Sequence, residues 1–471
     1  MSKVYNTKDE VFTDVLSFMD KHLRDVMDSE SIRIAEQKIE EQGSSRKGYL
    51  GNLVDEYVFG QKANNRHEAD LKEVGIELKT TPIKEHKTKG YIAKERLVFS
   101  MIDYKTIIDE NWEQSSFLDK NKFVLLMFYL YQKDLSILDY EFKFFYGLDF
   151  LNNISNKDAL QIKKDWEYIV DKIKKGEAHL LSEAETFYLG ACTKASDSSK
   201  RRSQPNSEIS AKPRAFSLKQ SYLNYIVQNV SGFDDDSKTI SDGKNTIDSI
   251  IENKLRKFVG MSDDEIINDI GVVISKDPKQ YKRALANYMV SNSNRKIAEF
   301  EKANITMKVI TLEHNGKLKE SISFPCFDFK KIVEQKWEDS NFYNLLEKNR
   351  FLFIVFRKDE EGESIHFESF KFWNFPVAHM IYAKSVFDET KKVINSGKII
   401  KEIKKDKNGK EKRYTYFPNS KFNGVTHVRP HGKNSLDVIE LPVADELTGK
   451  DVYTKHCFWL NADYIRKSLE N

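Results

Sequence analysis

The sequence predicts an α/β protein built from two tandem copies of one domain, each a mixed sheet flanked by helices. Three observations support this fold class. An internal repeat runs through the chain, the apolar period changes from helical to strand-like after Gly75, and a polar segment separates the two halves. With 471 residues, the chain is long enough for two or more domains.

The repeat consists of five pairs of segments that occur in the same order in both halves. Trp112 and Glu113 in "ENWEQSSFLDKNKFVLLMFYLY" match Trp337 and Glu338 in "QKWEDSNFYNLLEKNRFLFIVF". The other pairs are "GIELKTTP" with "NITMKVIT", "KERLVFSMIDY" with "KESISFPCFDF", "WEYIVDKIKKGEA" with "FDETKKVINSGKI", and "AFSLKQSYLNYI" with "CFWLNADYIRKS". Shared strand composition explains single matches, but it does not explain five in one order. We therefore predict domains at 1–230 and 246–471, joined by a linker at 231–245 that is rich in Gly, Ser and Asp.

The elements of the first copy follow from its apolar spacing. Residues 8–42 and the segment "GYLGNLVDEYVFG" place apolar side chains at helical spacing. After Gly75 the period becomes two, with Ile76 and Leu78 on one face of a strand. The remaining predicted elements are strands near 95–102 and 122–131, a helix near 157–175, a short strand and a final helix in "LKQSYLNYIVQ".

Composition and charge narrow the function classes only a little. The chain is 39% hydrophobic and 32% charged, and its net charge of +3 neither requires nor excludes nucleic acid. Its three cysteines, Cys192, Cys326 and Cys457, are far apart and form no CxxC pair, which favours a reducing compartment and no zinc site. The N-terminus is polar, and the longest apolar run, 123–131, is too short to span a membrane. We expect a cytoplasmic protein without a membrane partner.

One short stretch carries residues suited to phosphodiester chemistry. Glu77 and Lys79 share one face of a strand, roughly 6 to 7 Å apart at about 3.3 Å per residue. Asp70 lies a turn earlier, and Gly75 allows that turn to be tight. Two carboxylates and a lysine on a rigid strand can hold Mg²⁺ and stabilise charge on a phosphate. The alternative is a solvated strand face with a surface ion pair worth about 0 to 1 kcal/mol.

Two further observations favour the nuclease interpretation. Glu56 on the upstream helix offers a third carboxylate to the same site. The second copy places Thr306 opposite Glu77 and keeps Lys308 opposite Lys79. The same alignment puts Glu299 opposite Asp70 and Asn287 opposite Glu56. The scaffold is therefore repeated while the key glutamate, Glu77, is lost, as expected for a non-catalytic, regulatory half.

The segments "KGYLGNLVDE", "ADLKEVGIELKTTP", "WEQSSFLDKNKFVLL" and "AFSLKQSYL" together resemble the MutH-like nucleases. That family includes a mismatch-repair nicking enzyme and type II restriction endonucleases that cut at GATC. The resemblance implies Mg²⁺-dependent cleavage of double-stranded DNA. It implies that Asp70 and Glu77 are the metal-binding acids and that Lys79 is the catalytic lysine. It further implies that Glu56 supports the site and that Lys122 lies beside it.

The resemblance also implies residues that contact DNA. Lys47 and Gly48 match a loop on the DNA backbone, and the base-reading segments here contain Lys194, Ser217 and Lys219. The family's Arg-Pro-Lys is replaced by Cys192, Thr193 and Lys194, whereas the second copy keeps Arg and Pro within "HVRPHG". We therefore expect DNA contacts from the second copy as well, through Arg429, Pro430, His431 and Asn461.

Together these inferences predict a type IIE-like restriction endonuclease. Its second domain would bind another GATC copy as an allosteric effector, two chains would self-associate on DNA, and a cognate methyltransferase would act on the same site. The alternatives are a strand-nicking mismatch-repair enzyme and a non-catalytic GATC-binding protein. The basic run "KKDKNGKEKR" (404–413) is predicted to form an exposed hairpin, which either contacts phosphates or is a solvated tip.

Overall fold

The computed structural model describes residues 4–42, 48–61, 68–151, 156–195, 197, 199–233, 236–275, 280–405, 409 and 411–470. The chain forms two compact units. The first comprises Met1–Glu252 and Ser293–Ile305, and the second comprises Asn253–Asn292 and Thr306–Asn471. Within the described ranges, no helix is long and apolar enough to cross a membrane. Both units are mixed α/β, as the sequence predicts.

The first unit begins with helices, continues with a sheet and ends with a second, smaller sheet. Its helices are α1 (Lys8–Leu16), α2 (Ser29–Gln42), α3 (Tyr49–Leu53), α4 (Ser116–Asn121), α5 (Asn156–Lys174) and α6 (Gln220–Val230). Helix α7 (Ile247–Arg256) leads into the second unit, and α10 (Ala298–Ala303) belongs to the first. The strands are β1 (Glu77–His86), β2 (Gly90–Ala93), β3 (Leu97–Met101), β4 (Phe123–Leu130), β5 (Glu141–Asp149), β6 (Leu189–Thr193), β7 (Arg202–Gln204), β8 (Ser207–Ala211) and β9 (Arg214–Leu218).

Strand β4 forms the centre of the larger sheet, whose order is β2-β1-β4-β5. The side chains from Val124 to Phe128 are fully buried on both faces, which explains why this apolar run does not alternate. Strand β1 pairs with β4 in parallel, with Glu77 opposite Val124 and Lys79 opposite Leu126. This pairing fixes the start of β1, where the candidate acids lie, against the most buried strand of the unit.

The second unit contains the same classes of element with an additional hairpin. Its helices are α8 (Asp263–Ile270), α9 (Tyr281–Ser291), α11 (Phe329–Glu334), α12 (Asn341–Lys348), α13 (Met380–Asn395) and α14 (Ala462–Glu470). Its strands are β10 (Ile305–Leu312), β11 (Ile322–Cys326), β12 (Arg350–Lys358), β13 (Ile365–Asn374), β14 (Ile400–Lys405), β15 (Glu411–Thr415), β16 (Thr426–Pro430), β17 (Val438–Glu440), β18 (Val452–Thr454) and β19 (His456–Leu460).

The small three-stranded sheets of the two units share strand order and register. The order is β3-β9-β6 in the first unit and β11-β19-β16 in the second. In each sheet the edge strand has a register irregularity at the same place, between Val98 and Met101 in β3 and between Ser323 and Cys326 in β11. Because a bulge of this kind re-aims a strand, its recurrence shows that the two segments adopt the same local geometry.

The boundaries of the two units differ from the predicted ones. The segment 231–245, predicted to be a linker, lies in the first unit, and so does 293–305. The physical reason is a set of buried polar contacts. The carboxylate of Glu299 accepts hydrogen bonds from the backbone N–H groups of Ile240 (3.0 Å) and Ser241 (3.1 Å). A polar composition therefore does not mark a free linker here, because its backbone groups have buried partners.

A buried ion pair also holds 293–305 in the first unit. The Lys302 ammonium lies 2.8 Å from the Asp158 carboxylate, and both side chains are almost completely buried. The Tyr222 hydroxyl donates to the same carboxylate oxygen at 3.0 Å, and Lys302 lies over the Tyr225 ring at 4.5 Å from its centroid. Removing one member of such a pair leaves an uncompensated buried charge.

We therefore expect Lys302→Met to lower the free energy of unfolding of the first unit by about 3 to 5 kcal/mol. The double variant Asp158→Asn/Lys302→Met should recover part of that loss, because neither charge is then left alone. Lys175→Met, which removes an exposed ion pair with Asp171 at 2.7 Å, is the matched control and should cost at most about 1 kcal/mol. Urea unfolding followed by circular dichroism measures all three. Equal losses for the two lysine variants would contradict the role given to the buried pair.

Candidate active site

The Glu77 carboxylate lies at the first residue of β1 and is buried, with 1% of its surface exposed. The Lys79 ammonium donates a hydrogen bond to its Oε1 atom, and the Lys120 ammonium lies 3.7 Å from the same oxygen. Burial raises the pKa of Glu77 to about 6, against the opposing effect of the two lysines. Two cations therefore converge on one buried carboxylate at the edge of the sheet.

Asp70 approaches the same place from the preceding turn. Its Oδ2 accepts a hydrogen bond from the Leu78 backbone N–H at 3.0 Å. The chain between them makes a tight turn in which Leu71 and Ile76 bond to each other, and Gly75 has the positive φ of 66° that this turn requires. The charge on Asp70 contributes to the raised pKa of Glu77, so the two acids act on each other as the sequence predicts.

Asp55 is a member of the cluster that the sequence analysis missed. It lies in a single π-helical turn, Val54–Val58, that extends α3, and such turns frequently occur at functional sites. Burial raises the pKa of Asp55 to about 7, and the charges that act on it are those of Asp70, Lys79, Glu77 and Lys120. The third acid at this site is therefore Asp55.

Glu56, the residue predicted for that role, lies on the outside. Its side chain is exposed, and its nearest cation is Lys38, at 3.5 Å. Glu56 was predicted as a helix carboxylate that could reach the same metal, but in the π turn its neighbour Asp55 is the acid whose charge acts on the cluster.

The basic residue beside the site likewise differs from the predicted one. Lys120, in the last turn of α4, reaches Glu77, whereas Lys122 is the residue that ends the helix and its side chain is exposed. The two lysines are two positions apart in "DKNKF". Which of them points to β1 depends on where α4 ends, and the sequence pattern did not locate that end.

The donor set fits a hard divalent cation. The Oε2 atom of Glu77 is buried without a hydrogen-bond partner among the described residues, so it is available as a ligand. Asp70 and Glu77 are the residues that would hold the ion, with Asp55 beside them. Among the described residues, no group of three or more Asp, Glu, His or Cys side chains is arranged to hold a metal ion together. An open site with one or two carboxylates is the kind that Mg²⁺ uses, since it keeps several waters.

The second unit lacks this cluster at the aligned positions. The Thr306 hydroxyl donates to the Asn349 side chain at 3.1 Å. Lys308 is kept, but burial lowers its pKa and the neighbouring charge that acts on it is another cation, Arg283. The alignment that pairs Glu56 with Asn287 also places Ala286 opposite Asp55. Two of the three acids of the first unit are thus replaced by uncharged residues.

The residues of the first unit that are predicted to contact DNA differ in exposure to solvent. Lys47 lies outside the described residues, Gly48 starts α3 with a φ of 85°, and Lys194 is exposed after β6. Ser217 and Lys219 are buried, against the prediction that they contact DNA. The Lys219 ammonium is held inside the unit by the backbone carbonyl groups of Thr186 and Ala303, so it has a structural role there.

The second unit exposes most of its predicted DNA-contact residues. Arg429, Pro430 and His431 are exposed at the end of β16, and the Arg429 guanidinium lies 4.6 Å from the centroid of the Trp459 ring. Asn461 differs from the prediction. It is buried, and its amide donates to the Ser420 carbonyl at 2.7 Å, so it supports the loop.

The strand register of the small sheets shows which residue of the first unit is equivalent to Arg429 of the second. Cys192 lies opposite Ala215 in the first unit, and Arg429 lies opposite Cys457 in the second. Cys192 therefore occupies the place that Arg429 holds. Its side chain is buried, whereas that of Arg429 is exposed.

Comparison with known proteins places this arrangement in a family. The family model of the DNA mismatch repair enzyme MutH matches residues 59–165 and 288–382. The chain is 32% identical to the type II restriction enzyme Sau3AI of Staphylococcus aureus over 459 residues, which cover 90% of this chain and 93% of that enzyme. The chain belongs to the Sau3AI family of type II restriction enzymes.

MutH proteins match a shorter part of the chain. MutH of Shewanella amazonensis is 29% identical over 136 residues, which cover 29% of this chain and 57% of that protein. MutH of Vibrio vulnificus is 24% identical over 188 residues, which cover 39% and 78%. Membership in the Sau3AI family makes this chain a site-specific deoxyribonuclease with a MutH-like nuclease domain.

Neighbouring residues provide matched controls for the site. We expect Asp55→Asn and Lys120→Ala each to slow DNA cleavage by about two orders of magnitude, because each removes a charge from the cluster around Glu77. Glu56→Gln and Lys122→Ala should stay within a few-fold of wild type, since both side chains are exposed. Initial cleavage rates at saturating metal measure the four variants. The opposite ranking within either pair would support the assignment made from sequence.

Gly51 positions Asp55 through a close approach to β1. A Cβ atom at this position of α3 would lie 3.2 Å from the Thr80 hydroxyl oxygen. Gly51→Ala should therefore push α3 away from β1 and lower the cleavage rate by about tenfold, although alanine favours the helix. Thr80→Ala in the same chain should restore the rate, because it removes the obstructing atom. Cleavage rates and melting temperatures of the single and double variants test this explanation. If Thr80→Ala does not restore the cleavage rate of Gly51→Ala, the contact with Thr80 is not the cause of the loss.

Proposed function

We propose that this chain is a Mg²⁺-dependent type IIE-like restriction endonuclease that cleaves double-stranded DNA at GATC. The cluster of Glu77, Asp70, Asp55, Lys79 and Lys120 in the first unit carries the proposal. GATC is the sequence that the family resemblance implies, and the family membership supports it. The catalytic domain is the first unit, and the two units descend from one duplicated domain, which the shared strand order and bulge support.

Each residue of the cluster has a role that its position supports. Asp70 and Glu77 would hold Mg²⁺, with Asp55 as a third acid whose charge acts on both. A divalent ion held there would supply polarisation of the phosphodiester and a bound water of lowered pKa. Lys79 and Lys120 present their ammonium groups beside Glu77, where they stabilise the negative charge that develops on the phosphate. The buried β1–β4 pairing holds these groups rigidly, so little reorganisation is needed during the reaction.

The second unit is the non-catalytic partner in this proposal. Thr306 replaces Glu77 and Ala286 replaces Asp55, so the unit cannot gather a divalent ion in the same way. Arg429 remains exposed next to Trp459, and a guanidinium there can bind the O6 and N7 atoms of guanine. We propose that this unit binds a second GATC and activates the first unit allosterically.

Double-strand cleavage of a palindrome requires two active sites, and each chain offers one. Two chains therefore self-associate on DNA in this proposal, each cutting one strand. A cognate methyltransferase acts on the same sequence without having to bind the nuclease. The competing function is a mismatch-repair nickase, which the MutH matches support over a smaller share of the chain. A non-catalytic GATC-binding protein is disfavoured by the complete acid and lysine set in the first unit.

The test is digestion of plasmids that carry zero, one or two GATC sites, with and without Mg²⁺. Wild type should yield linear DNA only with Mg²⁺ and at least one site, and it should cut the two-site plasmid faster. Glu77→Ala should leave the one-site and the two-site plasmids uncut, because it removes a metal ligand. Arg429→Ala should cut the one-site plasmid at the wild-type rate and lose the acceleration by a second site.

Each alternative has its own signature in this assay. Nicked circles without linear product would indicate the nickase. Binding to GATC duplexes without any cleavage would leave the non-catalytic protein. Cleavage that does not depend on site number would keep the nuclease but remove the allosteric role of the second unit.

A further inference from the structure

The second unit carries a hairpin that the catalytic proposal does not use. Strand β14 (Ile400–Lys405) pairs antiparallel with β15 (Glu411–Thr415), and Gly409 between them has a φ of 75°. We call these two strands the basic hairpin. Its existence agrees with the exposed hairpin predicted from the sequence, and the structure provides the observations needed to choose between its two interpretations.

The basic hairpin is an insertion relative to the first unit. It lies between α13 and β16, two elements that correspond to α5 and β6. In the first unit, the chain between α5 and β6 covers 175–188, all of it described, and contains only short 3₁₀ turns. The two small sheets otherwise share order and register, so the hairpin is not required to build this fold.

The charges of the basic hairpin are mainly positive, with Lys404 paired to Glu402 at 2.9 Å and Lys405 opposite Glu411. Lys404 lies directly opposite Lys412, and like charges in that position destabilise a strand pair. Both ammonium groups lie over the same ring, 5.4 Å from the centroid of Tyr414. The next pair along places Arg413 opposite Ile403. Glu402 and Glu411 offset only part of the positive charge of the two strands, and the excess of cations favours a polyanion as the binding partner.

The hairpin also lacks a core of its own. Tyr414 and Ile403, on opposite faces of the two strands, are each 39% exposed, and Tyr416 just beyond β15 is 51% exposed. A two-stranded hairpin open on both faces is at best marginally stable in water. Lysine stems stacked on tyrosine rings order its surface only partly. Binding to another molecule would supply the missing stabilisation.

We propose that the basic hairpin is an arm that grips the phosphate backbone of duplex DNA held by the second unit. This inference rests on the proposed function, because it assigns a further contact to the DNA that the second unit binds. Lys404, Lys412 and Arg413 supply the cations, and Tyr414 holds the two lysines side by side. Charge complementarity selects a polyanion, and contacts of this kind position a protein on DNA without reading sequence.

The test compares two triple variants in full-length protein, both made in a Glu77→Ala background so that the DNA is not cut. The hairpin variant is Lys404→Ala/Lys412→Ala/Arg413→Ala. The matched control, Lys317→Ala/Lys331→Ala/Lys392→Ala, removes the same charge from exposed positions of the second unit outside the hairpin. Affinity for a short GATC duplex is measured as a function of salt concentration.

Each phosphate contact contributes about 0.9 to the slope of log K against log salt. We expect the hairpin variant to lower that slope by about two to three and the affinity by about tenfold or more at moderate salt, with the control unchanged. With Glu77 restored, the hairpin variant should lose much of the acceleration that a second site gives to plasmid cleavage, and the control should keep it. Circular dichroism confirms that both variants are folded.

The outcomes separate this inference from the proposed function. If wild type cleaves GATC plasmids but the hairpin variant keeps the wild-type salt slope, the hairpin does not contact the DNA backbone, whereas the proposed nuclease function is unaffected. If the variant loses self-association in sedimentation while the slope is unchanged, the hairpin is a protein interface and the inference is wrong. If wild type neither binds nor cuts GATC duplexes, the proposed function fails and the arm fails with it.

Discussion

The structure of the first unit depends on placing one carboxylate, that of Glu77, in a buried position between two ammonium groups. Burying a carboxylate is unfavourable, and here it raises the pKa of Glu77 to about 6. The parallel pairing of β1 with β4 imposes this position, and α4 delivers Lys120 to it immediately before β4 begins. The same interaction that offsets the buried charge also assembles an acid and two lysines at one point. The pairing of β1 with β4 therefore positions the residues of the site.

The sequence predicted the scaffold of this site well and its exact residues less well, for local geometric reasons. Asp70, Glu77 and Lys79 could be placed near one another because a strand has a fixed period of two and Gly75 marks the turn before it. The helix could not be read with the same accuracy, because the π turn at Val54–Val58 breaks the regular spacing and turns Asp55 rather than Glu56 toward the cluster. Spacing identifies which elements meet, but an irregular turn decides which of two adjacent acids points inward.

The sequence pattern also did not show which charged side chains are buried. "AFSLK" contains a lysine that looked available to DNA, yet Lys219 is one of the most buried side chains of the unit. Two backbone carbonyl groups take the place of water around its ammonium group. One of them belongs to the segment 293–305, which is far away in sequence. A contact between distant segments has no local signal. The segment 231–245 was predicted to be a linker for the same reason, since the buried acceptor for its backbone, Glu299, lies far away in sequence.

The two units share a scaffold but differ at the positions of the acidic residues. The second unit keeps the strand order and the bulge, and it keeps a lysine, Lys308, at the position of Lys79. Without the carboxylate that Glu77 provides, that lysine has only Arg283 as its charged neighbour, and burial lowers its pKa. At the aligned positions Thr306 and Ala286 stand where the first unit has Glu77 and Asp55, so Lys308 faces another cation and not a carboxylate. Two uncharged replacements on an otherwise similar scaffold are therefore enough to remove the local negative charge that would attract a divalent cation.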